Sequence, residues 1–327
     1  MPYNLWKIFC FMKFLFISPR YSGGIGGHAA ILAKKLQNSG HSVTKMKTFH
    51  IPIKNLKNPS FAILGVLQGI IHRQNYDIVH AFNIPSGFAM HYAKGTKKIL
   101  SAHGVYSNQV DILHSFAISK IATKAESKVF KWADKITTDS KITKEEYWKK
   151  FNFDLEYLPS PIDAEMFKKI PQVEKSINQV AYVGRDSFEK GIDILKSIES
   201  KINGNVVYCV NKSWYETMKI LKSSTLLVVP SRMESLPAVI KEAFYLKIPV
   251  IATSVGGIPE LIKNNETGLL SEPENPQLLL KKINELLIDN VLQQKLSLNA
   301  YDFVISNFTW EKIFPNYVRF YEDILKN

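Results

Sequence analysis

The sequence predicts an α/β protein built as two doubly wound lobes, and three observations carry that prediction. Its 327 residues exceed one ordinary core and suit two of about 150 residues each. Short apolar runs alternate with amphipathic segments along the chain, as a parallel sheet with crossover helices requires. The alternation breaks at residues 159–176, PSPIDAEMFKKIPQVEKS, where prolines and charges replace periodicity and mark a linker.

In the first half, strands are expected at 13–18, 41–47, 78–81, 98–102, 135–138 and 156–157. Helices are expected at 27–38, 61–73, 115–132 and 141–151. The opening MPYNLWKIFCFMKFLFISP is interrupted by Lys7 and Lys13 and lacks a small-residue cleavage site. It reads as the strand 13–18 behind an extension, 1–11, rather than as a signal peptide. The longest other apolar stretch, 61–71, is too short to span a bilayer and reads as a short buried helix. After the linker the alternation resumes, with strands at 179–183, 205–210, 225–229 and 249–252 and helices at 191–200, 214–223 and 238–245. Past Gly268 the chain reads as mainly helical. Its last segment repeats Ile313, Tyr317, Phe320, Tyr321 and Ile324 on one face, which must pack on something.

Apolar residues make up 46% and charged residues 22%, the balance of a soluble globular protein. Cys10 and Cys209 lie far apart in apolar surroundings, which argues for a reducing compartment and against a disulfide or a cysteine metal site. Residues 1–163 hold 22 Lys+Arg against 10 Asp+Glu, and residues 164–327 hold 20 against 19. The positive excess therefore concerns whatever the first half meets. Lys120, Lys124, Lys128, Lys131 and Lys135 recur at helical spacing, with Ile118, Ile121, Ala125, Val129 and Trp132 largely elsewhere. Such a stripe suits anionic lipid headgroups or is simply a solvated face, and both readings stand. No basic stripe interleaves with base-stacking aromatics, so nucleic acid is not an expected partner.

Doubly wound lobes bind ligands outside the carboxyl ends of their strands, so residues just past strands matter most. After the first strand comes PRYSGGIGGH, where Gly23, Gly24, Gly26 and Gly27 let backbone N–H groups approach an anion at a helix start. Gly24-x-Gly26-x-x-Ala29 fits the dinucleotide fingerprint loosely, but VTKMKTFHI offers no carboxylate for a ribose. The loop reads as anion-facing or as a plain tight turn. His103, in SAHGV, and His80 each follow a strand, and a structural role is as open as a functional one. Arg185 and Lys190, in VGRDSFEKGID, suit a pyrophosphate, since arginine forks onto phosphate oxygens and lysine adds a compact charge. Taken singly they read as solvated surface charges. Glu234 and Glu242, in PSRMESLPAVIKEAF, lie in a loop and on the following helix and can face one pocket. Carboxylates accept from adjacent hydroxyls, which suits a sugar ring and a ribose. A glycine pair, Gly256 and Gly257, follows the next strand in TSVGGIPELI, then Glu260, and NETGLL closes a turn at Gly268.

This ordered set resembles family 4 of the retaining GT-B glycosyltransferases, over nearly the whole chain including the final segment starting FTW. The E-x7-E element, Glu234 to Glu242, is its most specific part. The resemblance implies two Rossmann-like lobes around a deep cleft: an acceptor lobe at 1–163, a donor lobe at 164–308, and a helix at 309–327 that packs back on the first lobe. It implies transfer from a UDP- or GDP-linked nucleotide-sugar to an acceptor hydroxyl with retention; with the lysine stripe on the acceptor lobe, a lipid-linked acceptor or polysaccharide precursor is expected. Arg185 and Lys190 would bind the pyrophosphate, Glu242 the ribose, and Glu234 the donor sugar, with Ser235, Leu236 and Pro237 beside it. The backbone around Gly256 and Gly257 would touch sugar or phosphates, and His103 would approach the sugar from the first lobe. Gly24, Gly26 and Gly27 would shape the phosphate and acceptor side. Lys120, Lys124, Lys128 and Lys131 would face the acceptor or a membrane.

Fixed positive charge is the expected device for stabilising the leaving diphosphate. No metal or cofactor is therefore expected, and no Asp-x-Asp pair occurs. The expected location is cytoplasmic, peripheral on the inner face of the membrane if the lysine stripe meets lipid. One departure stands out. Only 40 positions separate Lys190 from Pro230, fewer than the resemblance implies, so a βα unit is expected to be missing and the second lobe shortened. A non-catalytic sugar-nucleotide-binding protein on the same scaffold is the alternative.

Overall fold

The computed structural model describes residues 11–19, 24–47, 57–105 and 116–326. Cys10, Gly23, Ser115, nearly all of the 1–11 extension and the side chain of Ile118 lie outside the described part.

The first lobe is a six-stranded parallel sheet in the order β2-β1-β3-β4-β5-β6. Its strands are β1 (Lys13–Ser18), β2 (Ser42–Lys47), β3 (Tyr76–Ala81), β4 (Gly95–Ala102), β5 (Lys135–Thr138) and β6 (Glu156–Tyr157). The crossovers are α1 (Gly24–Asn38), α2 (Lys57–Ile71), α3 (Ile84–Tyr92), α4 (Phe116–Lys131) and α5 (Lys141–Phe151). Strands buried on both faces read as continuous apolar runs, and β1 is buried at every position after Lys13.

Two sequence expectations are corrected here. Helix α3 was not expected, because IPSGFAMHY is apolar nearly all round and shows no amphipathic period. Its signal was local: Asn83 caps it by accepting from the Ser86 N–H at 2.9 Å, and Pro85 sits in its first turn. Helix α2 is not a buried helix. It turns Phe61, Gly65 and Gly69 inward but leaves Ile63, Leu67, Ile70 and Ile71 exposed. The inward face is narrow because α2 lies close on α3; a Cβ on Gly69 would stand 2.6 Å from the Ala89 carbonyl oxygen.

The second lobe is a five-stranded parallel sheet in the order β11-β10-β9-β7-β8. Its strands are β7 (Gln179–Val183), β8 (Asn205–Cys209), β9 (Leu226–Val229), β10 (Val250–Thr253) and β11 (Leu269–Ser271). Helix α6 (Ala164–Phe167) lies within the linker, and after it come α7 (Ile192–Ile198), α8 (Trp214–Ser223), α9 (Ala238–Tyr245), α10 (Ile258–Leu261), α11 (Pro276–Ile288), α12 (Asn290–Asn307) and α13 (Trp310–Lys326). The lobe is one strand smaller than the first, and β8 forms its edge directly beside β7. The TGLL segment is strand β11 as well as a turn.

Helix α13 returns to the first lobe. Trp310, Ile313, Tyr317, Tyr321 and Ile324 pack with α1 against Phe14 and Phe16, each such burial contributing about 1.5–3 kcal/mol. The chain therefore crosses between lobes twice. The crossings touch where the Ile162 N–H donates to the Phe308 carbonyl at 2.8 Å. Among the described residues no helix is long and apolar enough to cross a membrane.

Candidate functional site

Three loops at the carboxyl ends of β7, β9 and β10 stand side by side, because these strands are neighbours in the sheet. Glycines let their backbones touch. Gly191 (φ +63°) closes the turn after β7, where a Cβ would lie 1.9 Å from the Pro230 carbonyl oxygen. Gly256 (φ +49°) lies after β10, where a Cβ would lie 1.8 Å from the Glu234 carbonyl oxygen. Both positions combine a left-handed conformation with no room for a side chain. Gly257 packs in the same way on the Ser235 carbonyl.

On this platform Lys190 donates to Glu234 Oε1 at 2.7 Å, and Ser231 Oγ donates to the same oxygen at 2.8 Å. Arg185 is held elsewhere: it pairs with Glu189 at 2.8 Å and its side chain is 74% exposed, against 24% for Lys190. The two cations expected to act jointly are thus each engaged by a different carboxylate. Glu242 lies on the first turns of α9, where it accepts from Trp214 Nε1 at 2.8 Å. Burial raises the Glu242 pKa, while the indole bond and Lys241 oppose the rise. Leu236 and Pro237 are buried and set the start of α9. Arg232, which sequence reasoning left unassigned, stacks on Phe188 and forks onto Asp193, with Glu274 also bonded, and so clamps the β7 and β9 loops together.

The first lobe meets this platform through residues after β4 and β5. His103 Nδ1 lies 3.1 Å from Asp139 Oδ2, and the other Asp139 oxygen accepts from Ser235 Oγ at 2.7 Å. The buried Tyr147 hydroxyl donates to the Glu126 carboxylate and lies 3.3 Å from the Gly104 carbonyl, beside the His103 loop. Glu260, on α10, accepts from Ser140 Oγ at 2.6 Å and from the Lys141 and Ile142 N–H groups at 3.0 Å each. A second-lobe carboxylate thereby caps helix α5 of the first lobe, where orphan N–H groups and the helix dipole favour negative charge. Burial pushes the Asp139 pKa up, but the charge and hydrogen bond of His103, the Ser235 hydroxyl and Lys241 outweigh it and leave it below the ordinary value.

His28, on α1 just after Gly24, Gly26 and Gly27, was also missed. It stacks on Trp310 and meets the Tyr317 hydroxyl at 3.1 Å. Burial, then the charges of His103 and Lys241, lower its pKa to about 3, so it stays neutral. Lys241 is buried, donates to the carbonyl and hydroxyl of Ser160 in the first crossing, and lies over the Phe308 ring in the second. Burial lowers its pKa to about 8, partly offset by Asp139, Glu242 and Glu260. The sequence signal for both was available: a polar residue on an otherwise apolar helix face.

The sequence models of two families match in chain order. "Glycosyltransferase Family 4" matches residues 22–166, and "Glycosyl transferases group 1" matches residues 195–303. The chain belongs to the GT4-type glycosyltransferases. An uncharacterised glycosyltransferase of Methanocaldococcus jannaschii is 27% identical over 93% of this chain and 95% of its own length. Among solved structures, sucrose-phosphate synthase of Thermosynechococcus elongatus superposes with a TM-score of 0.81 at 18% identity, over 96% of this chain and 99% of that one. HepE of Anabaena, solved in complex with UDP-glucose, superposes at 0.72 and 15% identity, over 95% of this chain and 100% of that one. These likenesses give the GT-B fold.

Within that glycosyltransferase fold, His80 does not join the platform. His80 is fully buried in β3, bonded to Tyr321 and Ser101, with its pKa well below the ordinary value because of burial. It is a core residue, since the last helix covers the sheet there. Lys120, Lys124, Lys128 and Lys131 lie exposed along α4, but Lys135 is not on the helix; it opens β5, because α4 ends at Lys131. Ile121 is also exposed, among the lysines rather than away from them.

Proposed function

We infer that this chain transfers a sugar from a nucleotide-sugar, UDP- or GDP-linked, to an acceptor hydroxyl with retention at the anomeric carbon. The observation that carries this reading is the Lys190–Glu234–Ser231 cluster on a glycine-lined platform, joined across the interlobe seam to His103. As the sugar–phosphate bond breaks, the sugar becomes oxocarbenium-like and the departing diphosphate gains charge. Lys190 sits where such charge can be met, and its pairing with Glu234 keeps the ammonium oriented until a diphosphate competes for it. Arg185, on an exposed loop, closes on the phosphates from outside. Glu242, braced by Trp214, accepts from ribose hydroxyls, and no metal is needed for these roles. The complex of HepE with UDP-glucose makes that donor the first probe.

The test is a mass-spectrometric screen of nucleotide-sugars for thermal stabilisation and slow hydrolysis. Stabilisation with turnover is expected, and Glu242→Ala should weaken donor binding while the protein stays folded. Stabilisation without turnover under any acceptor would favour the non-catalytic alternative.

A second reading concerns the acceptor. Exposed lysines and Ile121 on α4, with exposed Ile63, Leu67, Ile70 and Ile71 on α2, make the helical layer of the first lobe both cationic and apolar. That combination suits an anionic lipid surface, with the acceptor lipid-linked and the protein peripheral on the cytoplasmic side. Sedimentation with anionic vesicles at low salt should carry the protein down. Changing Lys120, Lys124, Lys128 and Lys131 to Gln should remove about 1 kcal/mol of binding per lysine. Equal binding by the quadruple variant rejects this reading.

A further inference from the structure

Asp139 is a buried carboxylate with no role in the reading above. A buried anion is costly unless its oxygens are bonded. Here one oxygen faces His103 Nδ1 at 3.1 Å and the other accepts from Ser235 at 2.7 Å. The histidine belongs to the first lobe and the serine to the second, so one side chain joins both at the platform. The neighbouring residue repeats the pattern, since Ser140 donates across the same seam to Glu260 at 2.6 Å. An ionised carboxylate can only accept, which places the imidazole proton on Nδ1 and leaves Nε2 as the edge turned away from Asp139.

We propose that Asp139 is a positioning residue: it holds His103 in the Nδ1–H tautomer, and through Ser235 it makes that alignment depend on the two lobes being together. This rests on the sugar-transfer reading for its consequence, because the family resemblance there has His103 approach the donor sugar from the first lobe. With the proton on Nδ1, Nε2 of His103 is the ring atom able to accept a hydrogen bond from a sugar hydroxyl. The wrong tautomer offers a donor in its place.

The experiment has two arms. Imidazole 15N spectra of histidine-labelled protein, with His103→Gln assigning the signal, read the tautomer without substrate. Wild type should show Nδ1 protonated, and Asp139→Ala and Ser235→Ala should each shift the population toward Nε2–H. A wild-type His103 with Nε2 protonated overturns the proposal whatever the variants do. In the second arm, Asp139→Asn, which keeps the side-chain shape, should lower kcat by about 10²-fold with the donor KM nearly unchanged. The same change should cost less in a Ser235→Ala background, because the two share one network. Unchanged kcat, or a loss confined to KM, overturns it. If wild type turns over no nucleotide-sugar, the transfer reading fails on its own and the spectra still decide whether Asp139 sets the histidine.

Discussion

The two lobes share one construction but place histidines and ion pairs differently. In the first lobe the buried histidines are kept neutral: His80 between Tyr321 and Ser101, His28 between Trp310 and Tyr317. In the second lobe the strand-end loops are knitted by charges, Lys190 to Glu234, Arg185 to Glu189, and Arg232 to Asp193 and Glu274. Yet the first lobe carries nearly all of the net positive charge. Net charge therefore does not locate the site. Its excess lies on exposed helices such as α4, whereas the balanced lobe concentrates opposite charges where backbone and strand ends converge.

The largest effect that would break this contrast concerns the neutral histidines. His28 has a folded pKa of about 3, below its unfolded value of 6.5, so the unfolded chain binds more protons between those limits. Stability is complete above pH 6.5 and falls as the pH drops toward 3, by roughly 5 kcal/mol from this group. His28→Phe keeps the stacking and leaves the Tyr317 hydroxyl bonded to the Leu158 carbonyl. Denaturant titrations from pH 7 to 4 should give a shallower loss in the variant, and parallel slopes would show that His28 is not held neutral by burial.

Next comes the charged lobe. Lys190→Ala removes the cation facing Glu234 and should lower kcat by about 10²–10³-fold, as removal of a preorganised charge-stabilising donor does. Arg185→Ala, at an exposed position, should lose less. An Arg185 loss larger than that of Lys190 would reverse their assigned weights. The smallest effect sharpens the boundary between lobes, where Lys241 reaches both crossings. Its folded pKa of about 8 lies below 10.5, so the unfolded chain binds more protons in that window. Stability should rise by roughly 3 kcal/mol between pH 8 and 10.5 relative to Lys241→Met. A wild-type curve with the same slope as the variant would mean that the ammonium is well solvated.

Except for β11, expected only as a turn, the β-strands were readable in the sequence to within three residues at either end. Helix α3 was not, since an all-apolar helix hides its period, although Asn83 and Pro85 announced its start. The loop residues Lys190, Glu234, Ser235, Gly256 and Gly257 were readable for a different reason. Strand-end position is a local property, and glycine pairs there have few other uses. Asp139, His28 and Lys241 were not singled out, and Glu260 was noted without a role, because each gains its meaning from a partner distant in the chain.

Alternation, linker and strand-end chemistry thus follow from residues within a few positions of one another, and the chain alone sets them. Folding chose among the histidines and carboxylates. His80 meets Tyr321 across 241 positions, Asp139 meets Ser235 across 96, and Glu260 meets Ser140 across 120. Local pattern specifies which face of an element is buried but not which element covers it. Whether a buried polar group becomes a core hydrogen bond or an interlobe contact is decided only when the second crossing brings α13 back onto the first sheet.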